Sequence, residues 1–417
     1  MGAYELLAVG VLAAMFVVAS VFPINMGLLG VAAAFAVGMV AQLPVGDIVD
    51  GFPDGLFLTL VGVTFLFAVA NANGTIEQVV AAAVRFAGGH DWAIPWIMFA
   101  TAGVLTAFGA VSPAAVAILA PIALGFAARR GLSPLLMGLM VVHGAQAGGF
   151  SPISVYGGIT NRIVAEAGLP LSPATTFLAS LALNGAVAAV LFLVLRRERA
   201  AAHVRDDLPD AERIALAEPG WTAEQMLTLA GLLALAVLTL FLKVDVGFAA
   251  IGIGLVLSLP QVRTRKNPLS RLPWSEIMLV AGVGTYVAVL ETTGVVKSVG
   301  LQVAGIGEPL AAALLLCFIG AVVSAFASSV AVLGSLIPLA VPLLQSGSSV
   351  DAVGMVAAIA VSSTIVDVSP FSTNGALVLA NAEGVDRDVF FRRLTIYGAV
   401  VAALGPILAW ATLVAGR

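Results

Sequence analysis

Charge is scarce in this sequence. Only 10% of its 417 residues are charged while 60% are hydrophobic, and the mean hydropathy is +1.09. A soluble domain carries about 25% charged residues, so there is too little polar surface here to coat a water-soluble globule. Nor is there a basic excess. The 19 Lys and Arg against 23 Asp and Glu leave a formal charge of −4, which argues against a nucleic acid partner. The single cysteine, Cys317, allows no intrachain disulfide and no cysteine zinc cluster. The three histidines, His90, His143 and His203, do not pair at ligand spacing. There is no His-Glu-x-x-His, no phosphate-binding loop and no paired-aspartate motif. Gly252-x-Gly254 lacks its third glycine and lies inside an apolar run. No enzyme and no cofactor is expected.

What is abundant is long apolar sequence. Ala3 to Phe22, Gly27 to Leu43, Leu56 to Ala70 and Met226 to Leu242 are nearly free of charge. A bilayer span takes about 20 such residues, or fewer with snorkelling flanks, so the chain reads as a polytopic, all-α membrane protein in a lipid bilayer. The first run has no basic start and carries Glu5, so it is expected to be a retained helix and not a cleaved signal.

The sequence repeats. Gly62-Val63-Thr64 returns as Gly282-Val283-Gly284, and Ala72-Asn73-Gly74 as Thr292-Thr293-Gly294, both 220 residues on. Phe108-Gly109-Ala110-Val111-Ser112 matches Phe326-Ala327-Ser328-Ser329, and Ser151-Pro152-Ile153-Ser154 matches Ser369-Pro370-Phe371-Ser372 at an offset of 218. Basic residues then orient the halves, because short cytoplasmic loops are enriched in Lys and Arg. The loop from Pro44 to Gly55 holds Asp47, Asp50 and Asp54 and no basic residue, whereas its counterpart holds Arg263, Arg265, Lys266 and Arg271. Equivalent loops of opposite charge bias imply opposite insertion. The expected organisation is a first inverted repeat over 1–197, a cytoplasmic linker over 198–221 and a second repeat over 222–417. Each half has five transmembrane helices plus one hairpin, about Trp92 to Ala128 and Pro309 to Leu344. Both termini are expected outside. Each hairpin reads as re-entrant, because small residues form a tight kink in its middle; two full spans would leave the later loops on the same sides.

Two Ser-Pro steps, Ser151-Pro152 and Ser369-Pro370, lie centrally within apolar segments. Proline breaks a helix interior, and non-helical backbone at membrane depth survives only where protein or a water-filled cavity covers it. One Ser-Pro reads as a kink patched by serine. Two at matching places point to a site, where freed carbonyls hold a cation and half-helix N-termini hold an anion. The kinks at Ser112-Pro113 and Ser328-Ser329 are expected to face these breaks. Asp367 stands where the other half has Gly149; it reads as a cation ligand, a proton carrier or a helix cap. Asn161 and Arg162 are possible substrate contacts, with snorkelling to the outer interface the plainer role for Arg162. His143 reads as a satisfied packing residue, and Glu77 and Glu291 lie near span ends.

Together these features resemble the ion transporter superfamily, and within it the MatC-type dicarboxylate carriers. Gly149-Phe-Ser-Pro-Ile-Ser-Val-Tyr-Gly157 and Asp367-Val-Ser-Pro-Phe-Ser-Thr-Asn-Gly375 carry the likeness, with a more distant one to the divalent anion/sodium symporters. The Ser-Asn-Thr triplet of the symporters' hairpin tips is missing here. The resemblance implies an elevator-type transporter, a homodimer and a bacterial-type cytoplasmic membrane. By position it implies substrate contacts at Ser112, Pro113, Ser151, Pro152, Ser154, Ser329, Ser369, Pro370, Ser372, Thr373 and Asn374. The sodium ligands it implies are Ser112, Ser328, Asp367 and the backbone at Phe150 and Val368. The leading expectation is uptake or export of a small dicarboxylate such as malonate or succinate, coupled to Na+. Proton coupling, a monocarboxylate or other organic anion, and a passive anion channel remain as alternatives.

Overall fold

The computed structural model describes residues 2–22, 24–86, 90–198, 220–262, 268–304, 308–325, 329–345, 350–382 and 385–416. Most of the linker, Ser328, and the basic residues Arg263, Arg265 and Lys266 fall outside these. Among the described residues all regular structure is helical. The first half runs α1 (Ala3–Val21), α2 (Met26–Val40), the short α3 (Val45–Asp50), α4 (Asp54–Ala72), the amphipathic α5 (Thr75–Phe86), α6 (Ala93–Ala107), α7 (Ser112–Arg130), α8 (Pro134–Gly148), α9 (Val155–Glu166) and α10 (Pro173–Leu195). The second runs α11 (Ala223–Leu240), α12 (Val246–Val262), a 3-10 turn (Pro268–Arg271), α13 (Trp274–Thr292), α14 (Val295–Ala304), α15 (Pro309–Ser324), α16 (Ser329–Gln345), α17 (Ala352–Ile365), α18 (Thr373–Ala380) and α19 (Arg387–Leu413).

Local sequence sets the helix ends. Asn25 accepts from the amides of Gly27 and Leu28 to open α2, and Asp386 does the same for Asp388 and Val389 at α19. Ser133 caps α8 ahead of Pro134, whose missing amide costs nothing in the first turn. Gly131, in the left-handed region at φ +63°, closes α7. By length and composition, Val45–Ala72, Pro173–Leu195, Ala223–Leu240 and Arg387–Leu413 suffice to cross a membrane. The paired arms are shorter. At 1.5 Å per residue, the 15 residues of α6 span about 22 Å, less than the ~30 Å hydrocarbon core. Residues 108–111 turn the chain from α6 into α7, which pack against each other.

Two packed groups result. In one, α2 lies on α13 and α12 lies on α4, with α1 and α11 outside them. Small residues permit these crossings: a methyl added at Gly27 would strike the backbone of Met278, and one at Gly62 would strike the Gly247 carbonyl. Gly27 and Gly247 are 220 residues apart, as are Gly62 and Gly282, and Gly282 in turn lies against the backbone of Gly27. Each half therefore lends a helix to pack on the other. The second group gathers α6 to α10 with α15 to α19, centred on α8 and α17. All of α8 from Leu135 to Gly148 and of α17 from Gly354 to Ile365 is buried. On one face, Arg130 pairs with Asp91 at 3.2 Å and Arg393 with Glu198 at 2.6 Å. On the opposite face, Arg162 pairs with Asp54 and Gln345 reaches the Ala167 carbonyl.

Candidate functional site

The helical runs of α8 and α17 both stop at mid-course. α8 ends at Gly148 and α9 begins at Val155; α17 ends at Ile365 and α18 begins at Thr373. The two breaks are built alike. Ser154 and Ser372 are the N-caps of α9 and α18, with nearly the same backbone, φ −85° ψ 166° and φ −88° ψ 164°. Each hydroxyl accepts an amide three residues on, from Gly157 at 3.2 Å and from Gly375 at 3.4 Å. Each also donates back to a carbonyl of its break, Ser151 at 2.7 Å and Ser369 at 2.7 Å. The two glycines are required by close approach. An added methyl at Gly157 would collide with the Ser151 carbonyl oxygen and stand 2.9 Å from that of Phe150; at Gly375 it would collide with the Ser369 carbonyl and stand 2.7 Å from the Val368 oxygen. The Ser-x-x-Gly spacing thus folds the break back under the first turn of each half-helix.

The turn between α6 and α7 docks here. Gly109 holds φ +115°, its α carbon pressed against Val63 and the Ile153 carbonyl. The Ser151 hydroxyl donates to the Ala107 carbonyl. Ser112 and Pro113 open α7, with proline in the position where its lost amide is harmless. Across the site, the Ser324 and Ser329 hydroxyls lie 2.9 Å apart at the ends of α15 and α16. Between these parts is a cavity of about 140 Å³, lined by Val111, Pro113, Tyr156, Ser275, Leu279, Ser329, Val330, Asp367 and Thr373. It shares Val330 with a vestibule of about 800 Å³ that carries Asp50, Asp54, Arg162, Glu166 and Glu291.

Asp367 is the one charged residue in the small cavity's lining, and it is 2% exposed. Its carboxylate accepts the Asn374 backbone amide at 3.2 Å, the Asn374 side-chain amide at 2.9 Å and the Gln146 side-chain amide at 3.2 Å. Asn374 also donates to Ser112 at 2.8 Å. Gln146 belongs to α8 and Ser112 to α7, so a carboxylate of the second half is held largely by groups of the first. Among the described residues no group of three or more His, Cys, Asp or Glu could hold a metal ion. One carboxylate among neutral oxygens fits a hard monovalent cation better than a transition metal.

The structure gathers Ser112, Pro113, Ser329, Asp367, Thr373 and Asn374 at one place. Ser151, Ser154 and Ser372 sit beside it with their hydroxyls bonded to backbone carbonyls. Ser369 accepts the Phe371 amide at 3.2 Å. Pro152 and Pro370 lie within the breaks, while Phe150 and Val368 are fully buried there. Asn161 and Arg162 do not line the small cavity. Arg162 faces the vestibule, bonded to Glu166 at 2.8 Å and paired with Asp54 at 3.6 Å. Sequence reasoning missed Gln146, Tyr156, Ser275 and Leu279. Their only sequence signal is polarity or bulk beside a break, which many buried positions share.

His143 is a satisfied core residue, as expected. Asn184 donates its amide to the Ser180 carbonyl at 3.0 Å, so its oxygen faces His143 Nδ1, 2.8 Å away. Nδ1 therefore carries the proton and Nε2 accepts from the Tyr397 hydroxyl at 2.6 Å. Ser180 also donates to the Gln146 carbonyl at 2.9 Å, which ties this neutral network to the end of α8.

Apolar helices, two interrupted helices meeting at a buried cavity, and short paired arms closing on it define an integral-membrane α-helical transporter. Residues 1–149 match the family model described as the dicarboxylate carrier protein MatC N-terminus; the chain carries the N-terminal region of that carrier family, and it is a transporter and not an enzyme. Among solved structures, it is similar to the YdaH transporter of Alcanivorax borkumensis. That match has a TM-score of 0.59 and 15% identity, covering 87% of this chain and 86% of that one. It is also similar to MtrF of Neisseria gonorrhoeae, described within a class of antimetabolite efflux pumps. There the TM-score is 0.61 and the identity 12%, over 91% of this chain and 83% of that one. At such identities the likeness is one of fold. No curated protein matches the sequence significantly.

Proposed function

We propose that the protein is a secondary active transporter that moves a small dicarboxylate, of the size of malonate or succinate, across the cytoplasmic membrane in symport with Na+. The observation that carries this reading is the convergence of both breaks and both paired arms on one buried cavity containing a single carboxylate. Two half-helix N-termini, α9 and α18, start at the breaks, and such ends favour anions. The carboxylate and the break carbonyls supply oxygen for a cation. The family matched by residues 1–149 supports the substrate class.

The inverted repeat is part of this proposal, with halves 1–197 and 222–417 joined by 198–221. It is supported by the shared order of elements, by the matched serine caps and by the crossed glycine contacts of α2 with α13 and α12 with α4. The group built on α2, α4, α12 and α13 is the scaffold. The group holding the breaks moves against it, and a homodimer holds the scaffold still. The face with Arg130 and Arg393 is cytoplasmic, which puts both termini outside.

Uptake into proteoliposomes tests the reading. Labelled dicarboxylate is expected to accumulate above its external concentration with an inward sodium gradient, and to stop when choline replaces sodium at fixed pH. Accumulation that follows a proton gradient alone would shift the coupling to H+, and flux that only equilibrates would make the protein a channel. Ser151→Ala combined with Ser369→Ala is expected to lower uptake, since both serines hold the breaks; unchanged transport by a folded double variant would remove the site.

A further inference from the structure

Two buried amide oxygens in this site have no hydrogen-bond partner. They are Gln146 Oε1 and Asn374 Oδ1, on residues that are fully buried. Their orientation is not arbitrary. Both side-chain amides donate to the same oxygen, Asp367 Oδ2, at 3.2 Å and 2.9 Å, and the Asn374 amide also serves Ser112 at 2.8 Å. Turning either amide over would set its oxygen against an ionised carboxylate. The cap role explains only part of Asp367: it accepts the Asn374 backbone amide at the start of α18. It leaves unexplained a buried charge held by neutral donors and, one amide group away on two sides, acceptors facing nothing. Burying a carboxylate without an opposite charge costs several kcal/mol in general, and an orphaned buried acceptor adds about 1–3 kcal/mol each.

We propose that a sodium ion binds between Asp367 and the amide oxygens of Gln146 and Asn374, with the Ser112 hydroxyl as a further oxygen ligand. The proposal rests on the transporter reading above and names its coupling site. The ligand set is all oxygen with one negative charge, so the filled site is neutral and suits a hard monovalent cation. The terminal torsions of Asn and Gln are broad, so both amides turn toward the ion with little strain. The ion is shared by the halves: Ser112 and Gln146 come from the first, Asp367 and Asn374 from the second. Empty, the site leaves one uncompensated charge that opposes movement through the bilayer; filled, it has none. Sodium thereby becomes a condition for crossing.

Binding of 22Na+ to the purified full-length protein, with ionic strength held by choline, tests the site without transport. The intact protein is expected to bind sodium, and Asp367→Asn, Gln146→Leu and Asn374→Leu each to raise half-saturation at least about tenfold. Ser112→Ala is expected to do so less. If the variants do not fold, hydrogen exchange on the unsubstituted protein decides. Sodium is expected to slow exchange at 146–151 and 366–375, and protection elsewhere overturns the site. Normal sodium affinity in folded Asp367→Asn or Gln146→Leu overturns it too, while sodium-driven uptake by the intact protein would leave the transporter reading standing. No sodium binding by the intact protein, with uptake driven by protons, overturns the site and sodium coupling together.

Discussion

Adjacent glycines in α9 are expected to respond to alanine with opposite signs. Gly157 and Gly158 are both in the first turns of the helix, where alanine is better than glycine by about 0.8–1 kcal/mol. At Gly158 an added methyl meets only Thr59 Cγ2 at 3.8 Å, an ordinary contact. Gly158→Ala should therefore be neutral or stabilise by up to about 1 kcal/mol. At Gly157 the methyl collides with the Ser151 carbonyl oxygen and lies 2.9 Å from the Phe150 oxygen and the Ser151 carbonyl carbon. These are backbone atoms of the break, held by Ser154 and by the adjoining turn, so they cannot step aside as a side chain can. Overpacking of this kind costs about 1–3 kcal/mol; set against the helix gain, Gly157→Ala loses about 0–2 kcal/mol and displaces the carbonyls of the site. The two variants should differ by about 1–3 kcal/mol. Thermal unfolding in detergent reads the first effect and proteoliposome uptake the second. Gly158→Ala should keep uptake and Gly157→Ala should lose most of it. Equal unfolding temperatures and equal transport would refute the claim that the break is fixed by backbone contact with the half-helix.

Other consequences follow from single contacts. His143→Leu leaves Asn184 Oδ1 and the Tyr397 hydroxyl without their partner, and is expected to destabilise by about 2–5 kcal/mol. Tyr397→Phe removes one neutral bond and should lose about 1 kcal/mol in the same unfolding assay. Asp54→Asn should change stability by less than about 1 kcal/mol, because that carboxylate is 85% exposed; a larger loss in denaturation at moderate salt would contradict the assignment as a surface pair. Gly27→Val should abolish folded protein in detergent chromatography, since it drives side chain into the Met278 backbone, whereas Gly10→Val, with open space around it, should behave as the unsubstituted protein.

The sequence by itself determined the class of the molecule and the location of its irregularities. Low charge and long apolar runs dictate membrane helices, and Ser-Pro inside such a run dictates a break, because proline removes a backbone donor wherever it falls. The capping serines were legible for the same reason: a hydroxyl three residues before a glycine acts locally. The tertiary structure alone decided what meets at the breaks. Gln146 reaches Asp367 across 221 residues, Asn374 reaches Ser112 across 262 and His143 reaches Tyr397 across 254. No local rule marks such pairs, since a buried glutamine and a packed one look alike until their partners are known. Tertiary packing also separated Arg162 from the small cavity and committed it to Asp54 and Glu166. The break at Asp367 was written in the sequence. The two amide oxygens that face it without partners came only from the folding of one half of the chain against the other.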